Sequence, residues 1–279
     1  MGRRGDAGMR GPGDAEEPGP RTRSSGFRPQ GSPSGARAPG RKSWIRRAAV
    51  IVAAGRGTRM GEDKVWLPLG GIPVVAYSLE AFAACPDVET LVLVVGRDRL
   101  EDGRELASRL GVPVSVAEGG ERRQDSVQRG LSLIGEAEIV AIHDGARPLV
   151  SPELIEACYR AAERDGAAVP GVPLRDTVKR VSADGWVVET PDREGLWSVQ
   201  TPQVFSSELI RRAYTALAGE VTDDAAAVEM MGHPVRVVPG DPLNVKLTTW
   251  EDLEVVRALV ESGVRSIAGR GRIPRGLAH

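Results

Sequence analysis

Ala48-Ala49-Val50-Ile51-Val52-Ala53-Ala54 runs directly into Gly55-Arg56-Gly57-Thr58-Arg59-Met60-Gly61, and this junction decides the fold. Seven consecutive apolar residues ended by glycine read as a short strand covered on both faces, because a strand with one wet face would alternate apolar and polar residues. The loop that follows has two glycines, which let backbone N–H groups approach an anion, and two arginines, which add charge. A tight strand-to-helix turn is the plainer reading of the same residues. No Gly-Lys-Ser/Thr follows, so the loop is not a Walker A motif, and Met60 stands where a dinucleotide fingerprint needs its third glycine.

Outward from this junction, the pattern repeats. Tyr77 to Ala84 reads as a helix stopped before Pro86, Leu91–Val95 as a second buried strand, and Arg99–Leu110 as a second helix. Val112–Val116 makes a short strand, Asp125–Ile134 a helix, and Glu138–Ile142 another apolar strand. Ser151 and Pro152 supply an N-cap and a first helical residue for Ser151–Glu163. Later, Ala225–Met231 is helical, Val235–Val238 a strand, and Thr249–Ser262 a closing helix. Strands alternating with helices imply an α/β class, a Rossmann-like, mostly parallel sheet with helices on both faces. Ligands of such sheets bind at the carboxyl ends of the strands. The loops after Ala54 and after Ile142 therefore belong to one edge. One stretch interrupts the alternation: Thr177–Val181 and Trp186–Thr190 flank the turn Ser182-Ala183-Asp184-Gly185, an inserted β-hairpin. It is either an arm that packs on a second subunit or an ordinary edge hairpin.

The 279 residues carry 37 basic and 38 acidic side chains, a formal charge of −1. That sum conceals a division. Residues 1–43 hold nine Lys/Arg against four Asp/Glu, with 16 Gly or Pro and one aromatic, Phe27. Such a segment cannot bury enough apolar surface to offset the entropy of ordering it, so 1–43 is expected to be a disordered basic tail. Residues 44–264 form the folded domain, with the arm at about 173–197, and 265–279 a frayed C-terminal tail. The body is acidic, which argues against a nucleic-acid surface. Its longest apolar runs fall far short of the roughly 18 residues that span a bilayer. No apolar segment follows the N-terminal basic residues, so no signal peptide is expected and the protein is read as cytoplasmic. Two cysteines, Cys85 and Cys158, provide neither a disulfide framework nor a metal pattern.

Several polar residues cluster at the predicted site edge. Lys64, in Asp63-Lys64-Val65-Trp66, lies just beyond the glycine loop and is either a solvated surface lysine or a second cation for the same anion. Asp144 follows a buried strand in His143-Asp144-Gly145-Ala146-Arg147-Pro148, where it would hold a divalent metal or a substrate hydroxyl, or cap the next turn. His143 reads as structural. Glu118-Gly119-Gly120-Glu121-Arg122-Arg123-Gln124-Asp125-Ser126 is a second glycine loop, whose Ser126 either contacts a base or, with Asp125, caps the helix. Arg193 and Lys246 each add a cation near the sheet ends. Three histidines outside any nucleophile-elbow context and the lack of Gly-x-Ser-x-Gly disfavour Ser/His/Asp catalysis.

Taken in order, Ala53–Met60 with Lys64, Gly119–Ser126, His143–Pro148, Arg175-Asp176-Thr177-Val178-Lys179-Arg180, Asp192–Trp197 with Thr201-Pro202-Gln203, Thr222-Asp223-Asp224-Ala225 and Asn244–Leu247 resemble the 2-C-methyl-D-erythritol 4-phosphate cytidylyltransferases of the non-mevalonate isoprenoid pathway. The first loop is shared by many sugar-nucleotide transferases. The Arg-Asp-Thr-x-Lys-Arg and Asp-Arg-x-Gly-Leu-Trp pair is far more specific and separates this reading from ribitol-phosphate cytidylyltransferases. The resemblance implies transfer of CMP from CTP to methylerythritol phosphate with release of pyrophosphate, with Mg²⁺ or another divalent cation as cofactor. It implies a homodimer whose arms reach the neighbouring active site, with no nucleic-acid or membrane partner. By the same resemblance, Arg59 and Lys64 stabilise the transition state, and Arg193 and Lys246 position the acceptor. Ala53, Ala54, Gly55, Gly57, Gly120, Ser126 and Gly145 match nucleotide-contacting positions. Asp144 and Thr177 match acceptor-binding ones; the metal is held mainly by the CTP phosphates, with Asp144 as a further ligand. Two features depart from the family pattern. The span from Arg59 to Lys64 is shorter than usual, with Asp63-Lys64-Val65 where members often have Pro-Lys-Gln. The 43-residue tail, a regulatory or localising segment or translation from an upstream start, has no family counterpart.

Overall fold

The computed structural model describes residues 45–55 and 63–263. The two terminal tails and the loop segment 56–62, which contains Arg56, Gly57, Thr58, Arg59 and Met60, lie outside the described residues. The apolar run that opens the domain is strand β1 (Arg47–Ala53). Its alternate residues enter two separate cores, Ala49, Ile51 and Ala53 on one face and Ala48 and Val50 on the other. This division is why the sequence shows no apolar–polar alternation there.

Beyond the site loop, β2 (Pro68–Leu69) and β3 (Ile72–Pro73) form a minimal antiparallel hairpin. Its two turn residues, Gly70 and Gly71, both have positive φ, the backbone that a tight two-residue turn demands and that glycine adopts without strain. Helix α1 (Val74–Ala83) follows at once, beginning at Val74 rather than Tyr77 because Pro73 precedes it. Next come β4 (Val88–Val95), a 3₁₀ turn at Arg97–Arg99, α2 (Leu100–Arg109), β5 (Val114–Glu118), α3 (Arg123–Leu131) and β6 (Ile139–Asp144). Helix α4 (Pro152–Asp165) starts as the sequence predicts, with the Ser151 hydroxyl accepting the amide of Leu154 and Pro152 in the first turn.

The chain then departs from simple alternation. Strand β7 (Ala167–Pro173) is followed by the two-stranded ribbon β8 (Arg180–Val181) and β9 (Val187–Glu189), and by β10 (Trp197–Val199) and β11 (Gln203–Ser206). Helices α5 (Ser207–Ala216) and α6 (Asp224–Glu229), strand β12 (Arg236–Pro239) and α7 (Trp250–Glu261) complete the domain.

Among the described residues the main sheet has eight strands, in the order β10-β7-β11-β6-β1-β4-β5, with β12 paired to β7. The segment β6-β1-β4-β5 is parallel, whereas β11 runs antiparallel to β6 and β7, and β10 antiparallel to β7. Helices α1, α2, α4 and α7 bury residues in one core, and α3, α5 and α6 in the other. From β1 the chain proceeds outward to β4 and β5, then returns to place β6 on the opposite side of β1. Strand order reverses between β1 and β6, and ligands of open α/β sheets bind at such a switch point. No helix of the described residues is long and apolar enough to cross a membrane.

The far end of β1 is fastened independently. Arg47, almost fully buried, pairs with Glu156 at 2.6 Å and Glu163 at 2.7 Å, both on α4, with Asp87 at 3.6 Å. Its guanidinium lies 4.9 Å over the Tyr159 ring, and the Tyr159 hydroxyl donates to the carbonyl of Ala48. These contacts pin the start of the central strand to α4.

Candidate active site

The strand ends at the switch point are held together by close backbone approach. The amide of Gly145 donates to the carbonyl of Val52 at 2.9 Å, and that of Gly119 to the carbonyl of Val95 at 2.7 Å. A Cβ on Gly119 would stand 2.1 Å from the Cβ of Ala54, so only glycine permits this contact. Ala53, Ala54, Gly55, Gly119, Gly120 and Gly145 thereby form one edge assembled from β1, β5 and β6. Ser126 is buried and its hydroxyl accepts the Gly120 amide at 3.0 Å, which fixes the second glycine loop to α3. Asp125, in the first turn of α3, accepts the amide of Arg122 and caps the helix.

Asp144, the last residue of β6, is the electrostatic centre. Oδ1 accepts from Arg123 Nε at 3.0 Å and Oδ2 from Lys246 Nζ at 2.7 Å. Burial would raise this carboxyl's pKa, but the Arg123 guanidinium, then the Lys246 ammonium, more than reverse that and hold it well below the usual carboxylate range. The backbone of Asp144 is fixed as firmly: its N–H donates to Thr201 Oγ1 at 3.1 Å. The Thr201 hydroxyl in turn lies 3.1 Å from His143 Nδ1, and His143 Nε2 lies 3.3 Å from the carbonyl of Arg147. A carbonyl only accepts, so Nε2 carries the proton and Nδ1 accepts from Thr201. His143 is fully buried, which pushes its pKa down to about 3 and keeps the ring neutral. It orients a neighbour; it does not shuttle protons at neutral pH.

Lys246 reaches Asp144 because its segment is tied to the β6 loop. Leu247 donates its amide to the carbonyl of Ala146, Arg147 Nη1 donates to the carbonyl of Asn244, and the buried Asn244 amide donates to the carbonyl of Thr201. Residues distant in sequence thus form one rim around Asp144.

Lys64 lies half-buried in a turn at the other side of the glycine loop. This turn is anchored to α1, since the amides of Val74 and Val75 donate to the carbonyls of Leu67 and Val65. Beside Lys64, Asp63 Oδ1 is buried with no hydrogen-bond partner among the described residues, and Oδ2 lies 3.7 Å from Arg99. Burial pushes the Asp63 carboxyl up to about 6, which Arg99 only partly offsets. Arg59 and Gly57, the other residues expected in the nucleotide loop, lie outside the described residues.

Arg193 and Thr177 are exposed on the arm, and the Arg193 guanidinium donates to the carbonyl of Arg175 within that arm. The ribbon carries Val181, Trp186, Val187 and Val188 exposed, and Trp197 and Val199 on β10 are exposed as well. The sequence did not single out Arg123 and Asp224. Arg123 joins Asp144 to Asp224, its Nη2 donating to Asp224 Oδ2 at 2.8 Å, and Tyr214 donates to the other Asp224 oxygen at 2.5 Å. The signal was present only as an arginine in an Arg-rich loop and an aspartate pair in a capping position.

Comparison with known proteins agrees with this geometry. The family model for 2-C-methyl-D-erythritol 4-phosphate cytidylyltransferase matches residues 47–262. The chain is 44% identical over 218 residues to the Dehalococcoides mccartyi 2-C-methyl-D-erythritol 4-phosphate cytidylyltransferase, which covers 77% of this chain and 96% of that one. It is likewise 44% identical over 233 residues to that of Pelotomaculum thermopropionicum, covering 80% of this chain and 98% of the relative. Among solved structures, 4-diphosphocytidyl-2C-methyl-D-erythritol synthase from Anaerococcus prevotii superposes with a TM-score of 0.70 at 29% identity, over 78% of this chain and 99% of its own. The Thermus thermophilus cytidylyltransferase gives a TM-score of 0.63 at 31% identity, over 76% and 98%. The family match spans the whole sheet with its switch point, and the chain belongs to the 2-C-methyl-D-erythritol 4-phosphate cytidylyltransferase family.

Proposed function

We propose that the chain transfers CMP from CTP to 2-C-methyl-D-erythritol 4-phosphate, giving 4-diphosphocytidyl-2-C-methyl-D-erythritol and pyrophosphate in isoprenoid precursor synthesis. The observation that carries this reading is the family match over residues 47–262, which includes both the glycine loop after β1 and the Lys246 segment that the fold brings to Asp144.

The acceptor is a phosphate oxygen already ionised at neutral pH. It attacks the α-phosphorus of CTP, the bond from that phosphorus to the β-phosphate oxygen breaks, and pyrophosphate leaves. No general base is required. The barrier arises from bringing an anionic attacker to an anionic triphosphate, so positioning and cation placement dominate catalysis. In this assignment Arg59 and Lys64 neutralise the triphosphate as charge develops, and Lys246 with Arg193 orients the acceptor phosphate. Backbone at Ala53, Ala54, Gly55, Gly57, Gly120 and Gly145, with Ser126 behind it, shapes the nucleotide pocket. Asp144 and Thr177 contact the acceptor.

A divalent ion, Mg²⁺ foremost, fits as an ion carried by the triphosphate. The described residues contain no group of three or more His, Cys, Asp or Glu side chains able to hold a metal, and Asp144, whose oxygens accept from Arg123 and Lys246, would add a ligand only by giving up one of these partners. When bound, the ion supplies further neutralisation of the phosphate oxygens. A homodimer formed through the arm is supported by its apolar exposed face, and it would bring Arg193 and Thr177 to the neighbouring site. A cytoplasmic location suits soluble phosphorylated substrates.

The test is pyrophosphate release by purified protein given CTP, Mg²⁺ and methylerythritol phosphate, in competition with ribitol phosphate and with the other nucleoside triphosphates. Preference for CTP and methylerythritol phosphate is expected; folded protein with no turnover above blank would overturn the proposal.

A further inference from the structure

Asp144 has two cationic partners with different duties. Lys246 is the one assigned to the acceptor phosphate, so during turnover it must divide its charge between that phosphate and Asp144. Arg123 has a second anchor that substrate does not compete for: Asp224, fully buried, accepts from Arg123 Nη2 at 2.8 Å and from the Tyr214 hydroxyl at 2.5 Å. Asp224 is further held by its position at the start of α6, where Asp223 accepts the amide of Ala226 and Gln203 donates to Asp223 and accepts from Ala225. The Thr222-Asp223-Asp224-Ala225 motif, given no part in the chemistry above, thus ends at the active-site carboxylate through one guanidinium. The planar fork of arginine suits this position, because its separate N–H groups reach both carboxylates simultaneously.

We infer that Arg123 is a positioning residue for the transfer reaction: braced on Asp224 and Tyr214, it holds the Asp144 carboxylate in place while Lys246 engages the acceptor phosphate. This rests on the reading of Asp144 and Lys246 as acceptor-site residues. Lysine cannot replace arginine here, since a single ammonium is a point charge that does not span two carboxylates with fixed geometry. Loss of the brace leaves Asp144 with Lys246 alone, and the acceptor then draws on the same cation that orients the carboxylate.

The experiment uses the full chain and compares Arg123→Gln, Arg123→Lys, Asp224→Asn, Asp144→Asn and the double variant Asp144→Asn/Arg123→Gln. Steady-state constants for the acceptor are measured beside CTP binding without acceptor, and the melting temperature is followed for each. Arg123→Gln is expected to lower kcat/KM for the acceptor by about 100-fold, the scale of a small misplacement of a reacting group, with CTP binding little changed. Arg123→Lys should recover only part of the loss. The double variant should be no slower than Asp144→Asn, because both changes act through one carboxylate. Where Arg123→Gln fails to fold, Asp224→Asn gives the same acceptor-specific loss with less disruption. Additive losses in the double variant, or losses that fall equally on CTP and acceptor and follow the melting temperature, overturn the inference. Asp144→Asn with undiminished turnover overturns the acceptor-site reading itself, and the inference with it.

Discussion

Lys246 Nζ lies 2.7 Å from Asp144 Oδ2, so the ammonium assigned to the acceptor phosphate already holds an internal carboxylate. The two groups are therefore charge-paired without substrate, and under the proposed function the acceptor would enter by exchange of partners. Lys246→Ala is expected to lower kcat/KM for methylerythritol phosphate by about 100-fold, as for loss of one preorganised donor to a reacting anion, with little change in CTP affinity. Steady-state kinetics with each substrate varied in turn checks this. A loss confined to CTP would place Lys246 on the wrong substrate.

Lys64 sits on a turn fixed to α1, and the proposed function gives it the triphosphate to neutralise. Lys64→Ala and Arg59→Ala should each reduce turnover by about 10³-fold, the scale of removing a cation from a phosphoryl-transfer transition state. The melting temperature of Lys64→Ala should move little, because the side chain is only half-buried. Unchanged turnover in both variants would mean that other cations neutralise the triphosphate.

Arg193 lies on the exposed arm with its guanidinium turned to the carbonyl of Arg175. Arg193→Ala should chiefly raise the Michaelis constant for the acceptor. Mixing Lys64→Ala chains with Arg193→Ala chains tests action across a dimer. When the arm acts on its neighbour, mixed dimers regain one site with both residues intact; mixtures no more active than the two parents would place Arg193 in its own chain's site.

Asp63 gives the fold a pH signature beside Lys64. Folding raises this carboxyl's pKa from 3.8 to about 6, so folding favours its protonated form. That contribution is complete below the unfolded value and disappears as pH rises through about 6. Asp63→Asn, neutral at every pH, should therefore be the more stable protein at pH 7.5, by on the order of 1 kcal/mol after allowing for the group's partial exposure. Below pH 4 the two should melt together. Melting temperatures measured from pH 4 to 8 check this, and a difference that grows as pH falls would refute it.

Much of the fold was legible because buried parallel strands announce themselves. Ala48–Ala54, Leu91–Val95 and Glu138–Ile142 each carry an uninterrupted apolar run, and the structure has a central strand at each. Strand β7 was hidden by its composition: Ala167-Ala168-Val169-Pro170-Gly171-Val172-Pro173 has two prolines and a glycine, residues that normally argue against a paired strand. It exists because β10, β11 and β12 all pair with it, a tertiary fact that no local pattern records. Helix α5 was likewise passed over, although Ser206 caps it by accepting the amide of Leu209. At the site, the loops and Lys246 could be found from sequence spacing and resemblance. Arg123 could not, since its significance lies in partners 21 and 101 residues away.

The ionic cluster at the start of β1 has a consequence for how the enzyme should respond to salt. The Arg47 guanidinium is buried against α4, paired with Glu156 and Glu163 and stacked over the Tyr159 ring of the same helix, where counter-ions reach it poorly. At the carboxyl ends of the strands, the Lys246–Asp144 pair is partly exposed, and under the proposed function it would trade partners with substrate in each catalytic cycle. Added salt screens the second population and barely touches the first. Rising ionic strength should therefore slow the reaction well before it loosens the fold, and a salt-inhibited sample of this protein is a folded one.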